Sequence, residues 1–298
     1  MTNTDKNLHI IPFKAMGGPC NVHLYLADDQ LHLSDELINE VRRIESKYSR
    51  FNENSVLSQI NKNSSKGIVV DDETAGLLNY ANDLYTLSDG LFDISSGILS
   101  EAWNFKSNNL PTKKSINEAL KLVGWGKVSF DGNELKMPAN MRLDLGGIGK
   151  EYAADCVANL ARSFRIQHGL VDLGGDLSVI GPHPDGTPWR VGISNPRNPQ
   201  EAIAFTNLHS GGLASSGDYE RYMIINNKRY CHILNPKTGY PENSISGISI
   251  IADQCMIAGS IATIAMLKGK DLAIKWLDEQ GITYVMVDKH LKISAQKA

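Results

Sequence analysis

The chain has 298 residues, 42% of them hydrophobic, which is enough to bury a large core in a single domain spanning residues 1–298. Lys and Arg number 30 against 33 Asp and Glu, a net charge of −3 with the signs interspersed, and this excludes the basic field of a nucleic-acid binder. No run of about 18 apolar residues occurs and the first nine residues are polar, so no membrane segment or leader is expected and the chain reads as cytoplasmic.

In chain order, Ser34 is placed to cap a helix with Asp35 and Glu36 in its first turn. Leu37, Ile38, Val41, Ile44 and Tyr48 form its apolar face, and it ends near Ser49-Arg50-Phe51. A second helix starts at Asp72, carries Leu77, Leu78, Ala81, Leu84 and Tyr85, and stops at Ser88-Asp89-Gly90. A third covers 115–123 and closes at Gly124, and a fourth covers 150–162. Strands are expected at 170–173, 190–193 and 203–208, with the Pro-rich span 181–199 as a long irregular connection. Residues 222–225 and 228–234 read as a hairpin about Asn226-Asn227, because Asn tolerates positive φ. A strand at 248–252, a largely apolar and therefore buried helix at 256–267, a helix at 272–277 and strands at 283–287 and 291–294 complete the chain. Cys20, Cys156, Cys231 and Cys255 are widely spaced without a Cys-x-x-Cys pair, which points to buried free thiols.

The stretch richest in chemistry is Leu143-Asp144-Leu145-Gly146-Gly147-Ile148-Gly149-Lys150-Glu151, an apolar run that breaks into glycines and restarts as a helix. Glycines admit close approach of a ligand and the free N–H groups of a helix start favour anions, so a phosphate-bearing ligand is indicated; alone, the stretch is equally a strand-to-helix turn with no ligand. It is not a Walker loop, because Asp144 and Glu151 stand where that loop needs glycine and Ser or Thr, and it lacks the third glycine of a dinucleotide fingerprint at Tyr152.

Several stretches taken in order match one pattern: Met16-Gly17, Ser49-Arg50-Phe51 with Ser55 and Asn61, Gly90-Leu91-Phe92-Asp93, and Leu145-Gly146-Gly147-Ile148-Gly149-Lys150. They continue as Gly174-Gly175-Asp176, Ser216-Gly217-Asp218-Tyr219 and His232-Ile233-Leu234-Asn235-Pro236-Lys237-Thr238-Gly239. Together they resemble the ApbE family, the FAD:protein FMN transferases, from about residue 16 to about 269. The resemblance implies a two-lobed α+β fold with FAD in the cleft and Mg²⁺ at the pyrophosphate. It also implies transfer of FMN to a threonine hydroxyl of an acceptor flavoprotein, with release of AMP.

Carried over by position, the resemblance makes Met16, Phe51, Leu91, Phe92, Asp93, Asp144, Lys150, Ser216, Gly217, Asp218, His232 and Ile233 the FAD contacts. His232 and Lys150 are the catalytic candidates, and Gly147, Gly259, Ala262 and Thr263 match the metal-binding places. Taken singly, these residues read more plainly: Lys150 as a solvated lysine, Asp93 as a turn cap, His232 as a structural histidine, Met16 and Phe51 as core. Ser216 and Asp218 with His232 do not make a hydrolase triad, since no Gly-x-Ser-x-Gly elbow surrounds Ser216.

One departure matters. The family has Ala-Asp before small residues and Thr, whereas Gly259 stands at the aspartate in Ala258-Gly259-Ser260-Ile261-Ala262-Thr263. Losing the only charged ligand of a hard cation is expected to impair Mg²⁺ binding, and Gly259→Asp is expected to restore it. Asp253 and Ser260 are poor substitutes. Glu151 where glycine is usual, and Gly18 where threonine is usual, are the smaller departures. The alternatives to transfer are a protein that holds FAD without cleaving it and an FAD pyrophosphatase.

Overall fold

In the computed structural model, which describes residues 7–105, 107 and 109–296, the chain opens on a hairpin of β1 (Asn7–Ala15) and β2 (Gly18–Leu26). Next come α1 (Leu33–Tyr48), α2 (Val56–Asn63), β3 (Ile68–Val69), α3 (Asp72–Leu87), α4 (Leu99–Ala102), α5 (Lys113–Lys121), β4 (Ser129–Asp131) and β5 (Glu134–Lys136). The second half holds α6 (Gly149–Ser163), β6 (Gly169–Leu173), β7 (Asp176–Gly181), β8 (Trp189–Asn195), β9 (Asn198–Leu208), β10 (Gly212–Gly217), β11 (Tyr222–Ile225) and β12 (Lys228–Cys231). It ends with β13 (Ile245–Ala252), α7 (Cys255–Lys268), α8 (Lys270–Glu279), β14 (Thr283–Asp288) and β15 (Ile293–Gln296). The class is α+β, as the sequence predicts. Among the described residues, no helix is long and apolar enough to cross a membrane.

The organising element is an eight-stranded sheet in the order β1-β2-β6-β7-β10-β13-β14-β15, antiparallel at every pairing. Side chains alternate between faces along each strand, so the sheet feeds two cores. Val171, Ile180, Ala214 and Ile250 join the main cluster beneath the helices, while Leu170, Val179, Leu213 and Ile251 pack with Trp189 of the β8–β9 hairpin on the other face. The β8–β9 pairing also shortens the irregular connection expected over 181–199.

The long helices follow their apolar periodicity. Helix α1 buries Leu37, Ile38, Val41, Ile44 and Tyr48 and packs on α6; each such side chain contributes roughly 1.5–3 kcal/mol. Ser34 is not its cap: the helix begins at Leu33, and the Ser34 hydroxyl donates to the Leu31 carbonyl. In α3 the cap is Asp71, which accepts from Thr74 N–H, and α5 starts two residues earlier than predicted because Thr112 caps it. Helix α7 is buried along most of its length and lies on β10 and β13. Its own N-cap, Gln254, makes no side-chain cap bond; Asp155 of α6 instead accepts from Cys255 N–H (3.0 Å) and Met256 N–H (2.9 Å), which ties the two helices end to side.

A smaller core joins α4 and α5 to the β11–β12 hairpin through Leu99, Trp103, Ile116, Met223 and Leu234. The hairpin turn has positive φ at both Asn226 and Asn227, as predicted, but β12 ends at Cys231 rather than at Leu234. The Asn-Pro-Lys-Thr-Gly loop that follows closes on itself: Asn235 Oδ1 accepts from Lys237 N–H, and Gly239 N–H donates to the Asn235 carbonyl. Trp103 Nε1 then donates to the Gly239 carbonyl at 2.8 Å, anchoring the loop to the small core. All four cysteines are free, three of them buried and Cys156 half-buried.

Candidate active site

The glycine stretch leads into α6 as the sequence predicts, with Ile148 in the cap position and Gly149 N–H donating to the Leu145 carbonyl. Its entry is held by side chains. Asn61 grips both main-chain groups of Leu143, and Asp144 Oδ1 accepts from Gly146 N–H at 2.8 Å while Arg50 pairs with its other oxygen. The Arg50 guanidinium also lies 4.9 Å from the centre of the Phe51 ring, and that ring is 80% exposed. Phe51 is therefore not a core residue. Phe92 is buried beside Gly147, where a Cβ would approach its ring to 3.3 Å.

Lys150, in the first turn of α6, reaches across to the start of β7, where its Nζ donates to Asp176 Oδ2 at 2.7 Å. Asp176 is placed by the Gly174-Gly175 turn, whose two positive φ angles (66° and 93°) only glycine adopts without strain. Burial alone would lower the Lys150 pKa, but the adjoining Asp176 carboxylate outweighs it and holds the ammonium charged. Lys150 is thus a fixed positive charge and no proton acceptor.

His232 has the opposite character. Burial, reinforced by Arg221, Lys150 and Arg50, pushes its pKa down to about 4, so the ring is neutral at pH 7. Its Nδ1 lies 3.3 Å from the Arg221 carbonyl, which can only accept, so Nδ1 carries the hydrogen and Nε2 keeps a free lone pair. Lys150 and Arg50 both lie within electrostatic reach of this ring, so α6, the Arg50 loop and the end of the β11–β12 hairpin come near one another.

On the sheet side, Ser216 Oγ lies 3.3 Å from Thr263 Oγ1, linking the end of β10 to α7. Ala262 is fully buried and offers no side-chain donor. Met16, half-buried at φ 52°, forms the β1–β2 turn with Gly17, and its N–H donates to Glu45 Oε1 at 2.7 Å. Leu91 and Ile233 are half-buried, and Ile233 packs against the main core. Gly217 lies against Tyr219, whose ring would be 2.1 Å from a Cβ there.

Besides Asp144 and Lys150, two further predicted ligand contacts are engaged within the protein. Asp93 caps the turn that follows it, accepting from Ser95 N–H, Ser95 Oγ and Trp125 N–H, so the plain reading of this residue as a cap is the observed one. Asp218 makes a two-pronged pair with Arg197 at 2.6 and 2.8 Å. Sequence reasoning missed Arg50 and Asp176, although both sit inside quoted motifs; their signal is that buried or clustered charges need partners.

Position 259 holds the largest surprise. Glycine there is not merely a lost carboxylate: the space its side chain would use is occupied by Glu151 of α6, with Oε1 2.7 Å from a built Cβ. Burial, with Asp176 nearby, raises the Glu151 pKa. Asp253 is exposed, and Ser260 is turned to Tyr80, so neither reaches that space. Two surface cavities of about 420 and 440 Å³ lie elsewhere, and none of the predicted site residues lines them.

Comparison with known proteins agrees with this fold. The model of the ApbE family matches residues 16–286. A Haemophilus influenzae protein named FAD:protein FMN transferase is 28% identical, with 92% of this chain and 84% of that protein aligned. A Chlamydia pneumoniae protein of the same name is 30% identical over 87% of this chain and 84% of its own length. Among solved structures, the ApbE protein of Thermotoga maritima superposes with a TM-score of 0.91 at 32% identity, covering 98% of this chain and 97% of that one. The flavin transferase ApbE of Vibrio cholerae gives 0.87 at 25%, covering 98% of each chain.

Proposed function

The chain belongs to the ApbE family, and from that membership we propose that it is an FAD:protein FMN transferase, moving FMN from FAD to a threonine hydroxyl of an acceptor flavoprotein and releasing AMP. The names of its relatives support the reaction. One observation supports its assignment to these residues: a permanently charged Lys150 and a neutral His232 with a free Nε2 lie within electrostatic reach of each other beside the glycine turn.

The chemistry asks for a cation, a base and alignment, since phosphoryl transfer is driven by charge neutralisation and positioning. Lys150 and Arg50 offset the charge of the diphosphate. The acceptor oxygen attacks the phosphorus on the FMN side, the bond from that phosphorus to the bridging oxygen breaks, and AMP leaves with that oxygen. The hydroxyl proton passes to His232 Nε2. Phe51, exposed and next to Arg50, is free to meet the flavin ring, with Met16, Leu91, Phe92 and Ile233 about it.

Mg²⁺ fits the donors present, which are oxygens: the Thr263 hydroxyl, the Gly147 carbonyl and a buried carboxylate oxygen of Glu151 that has no partner among the described residues. Bound there, the cation would neutralise charge on the diphosphate oxygens. The impairment expected from Gly259 follows only if no other carboxylate serves that cation.

The test is incubation with FAD, Mg²⁺ and a threonine-bearing acceptor. AMP together with a fluorescent acceptor band on a denaturing gel supports transfer. AMP with free FMN means hydrolysis to water, and intact bound FAD means a non-catalytic binder; either result displaces the proposal.

A further inference from the structure

Positions 259 and 263 lie four residues apart on α7 and so share one side of the helix. Thr263 marks where that side looks, toward Ser216 at the end of β10. A Cβ built at 259 would lie 2.6 Å from Glu151 Cγ, 2.7 Å from Oε1 and 2.9 Å from Cδ, distances that no packed side chain tolerates. The Glu151 side chain fills the volume any residue larger than glycine would need. Glycine is a poor choice inside a helix on propensity alone, so its presence here is explained by the room it leaves.

Glu151 is 8% exposed, and its Oε2 accepts no hydrogen bond among the described residues. Its neighbours do not neutralise it. Lys150 is committed to Asp176 at 2.7 Å, and Asp176 is itself buried, so two buried carboxyl groups share one ammonium. A buried carboxylate oxygen with no donor, one helix away from a threonine hydroxyl, is an incomplete coordination shell for a hard divalent cation. Among the described residues no group of three or more His, Cys, Asp or Glu forms a metal site, so the donor set has to be mixed.

We infer that Glu151 is the anionic ligand of the divalent cation in this chain, delivered from α6 into the space left open at Gly259 on α7, with the Thr263 hydroxyl beside it. The carboxylate has changed helices, and the site keeps its charge. This rests on the transferase reading for the diphosphate that shares the cation, while the metal contact itself is read from the protein alone. It also reverses the expectation for Gly259→Asp: with Glu151 in place, the added side chain collides with it and brings a third carboxylate to the same pocket.

The experiment measures Mn²⁺ binding by electron paramagnetic resonance of the free ion, and melting temperature with and without Mn²⁺, on full-length protein both without and with FAD. Glu151→Gln is expected to weaken Mn²⁺ binding at least tenfold and to abolish the metal-induced rise in melting temperature. Its metal-free melting temperature should equal or exceed that of the parent, because a buried carboxyl group that costs free energy to ionise and has an unpartnered oxygen is removed; a merely structural Glu151 would instead lower it. Gly259→Asp alone should bind Mn²⁺ no better than the parent, whereas Glu151→Gly combined with Gly259→Asp should recover affinity to within about threefold of it. Unchanged affinity in Glu151→Gln, no Mn²⁺ binding by the parent at millimolar concentration, or tighter binding by Gly259→Asp alone would each overturn the inference. If the parent forms no AMP while Mn²⁺ binding still depends on Glu151, the transferase reading fails and the inference stands; AMP formation with Glu151-independent Mn²⁺ binding is the reverse.

Discussion

The Lys150–Asp176 pair predicts an asymmetry that can be measured without any ligand. The two charges are 2.7 Å apart, the lysine side chain 28% exposed and the aspartate 3%. At an effective dielectric constant near 20 their gross attraction is about 6 kcal/mol, most of it offset by desolvation. Lys150→Met leaves Asp176 buried with a hydrogen bond from Ser215 N–H but no cationic partner, beside the acidic Glu151 and Glu220, and stranding a buried charge costs about 3–5 kcal/mol. Asp176→Asn leaves an ammonium that water still reaches, and costs about 1–2 kcal/mol. Urea unfolding with an unchanged m-value reads both costs as shifts of the midpoint. The sign of the pH dependence follows from Asp176. In Lys150→Met its folded pKa lies above the unfolded value, so stability is fully present below the unfolded pKa and is lost as pH rises through the folded one. The deficit against the parent should therefore be smallest in acid and widen toward pH 7. An Asp176→Asn cost equal to that of Lys150→Met, or a deficit that does not shrink in acid, would refute this account of the pair.

The other predictions concern proton transfer, acid stability and the seating of α7. His232→Ala should lower AMP formation about 10²–10⁴-fold with little change in FAD affinity, and the parent's pH–rate profile should have its acid limb at about 4; a limb near 6.5 would remove His232 from the role of base. Glu73 bonds Arg43, Lys47 and the Tyr152 hydroxyl, and Arg43 first among them holds its pKa down to about 2. Its contribution is therefore present above about pH 4.5 and lost as pH falls toward 2, and Glu73→Gln should lose roughly 1 kcal/mol at pH 7 and show a shallower acid decline in urea titrations. Asp155→Ala strands two N–H groups at the start of α7 and should cost about 1–2 kcal/mol, with faster amide exchange at Cys255 and Met256. Unchanged exchange there would mean that water caps the helix as well as Asp155 does.

Helices α1 and α6 were legible because burial follows a 3.6-residue period that the sequence writes out, and α7 because its residues are largely apolar on every side. The first hairpin and strand β10 were not legible, for different reasons. Strand β1 pairs only with β2, and as an edge strand it tolerates Pro12 and exposes Ile10 and Leu8, which blurs its alternation. Strand β10 is central yet reads Gly-Leu-Ala-Ser-Ser-Gly, because α7 lies directly on it: a Cβ at Gly212 would be 2.4 Å from Cys255 N. Small residues there record the closeness of a helix, and local patterning carries no trace of that.

The site was legible to the extent that its motifs are local. The glycine turn, Lys150 at the helix start and the His232 motif could each be read from neighbours in sequence, and Lys150 and His232 lie within electrostatic reach of each other. What could not be read is the relation between Glu151 and Gly259, which stand 108 positions apart and meet only because α6 and α7 pack side by side. Taken one at a time, glutamate at 151 is a polar oddity and glycine at 259 a lost ligand. In three dimensions they are one feature, a side chain and the room it needs, and a side chain added at 259 has to displace Glu151. A double-mutant cycle on the pair should therefore show a coupling energy well outside the few tenths of a kcal/mol that separated sites give. Additivity within that range would mean that the two departures arose independently, and that the carboxylate of Glu151 has no claim on the place left at 259.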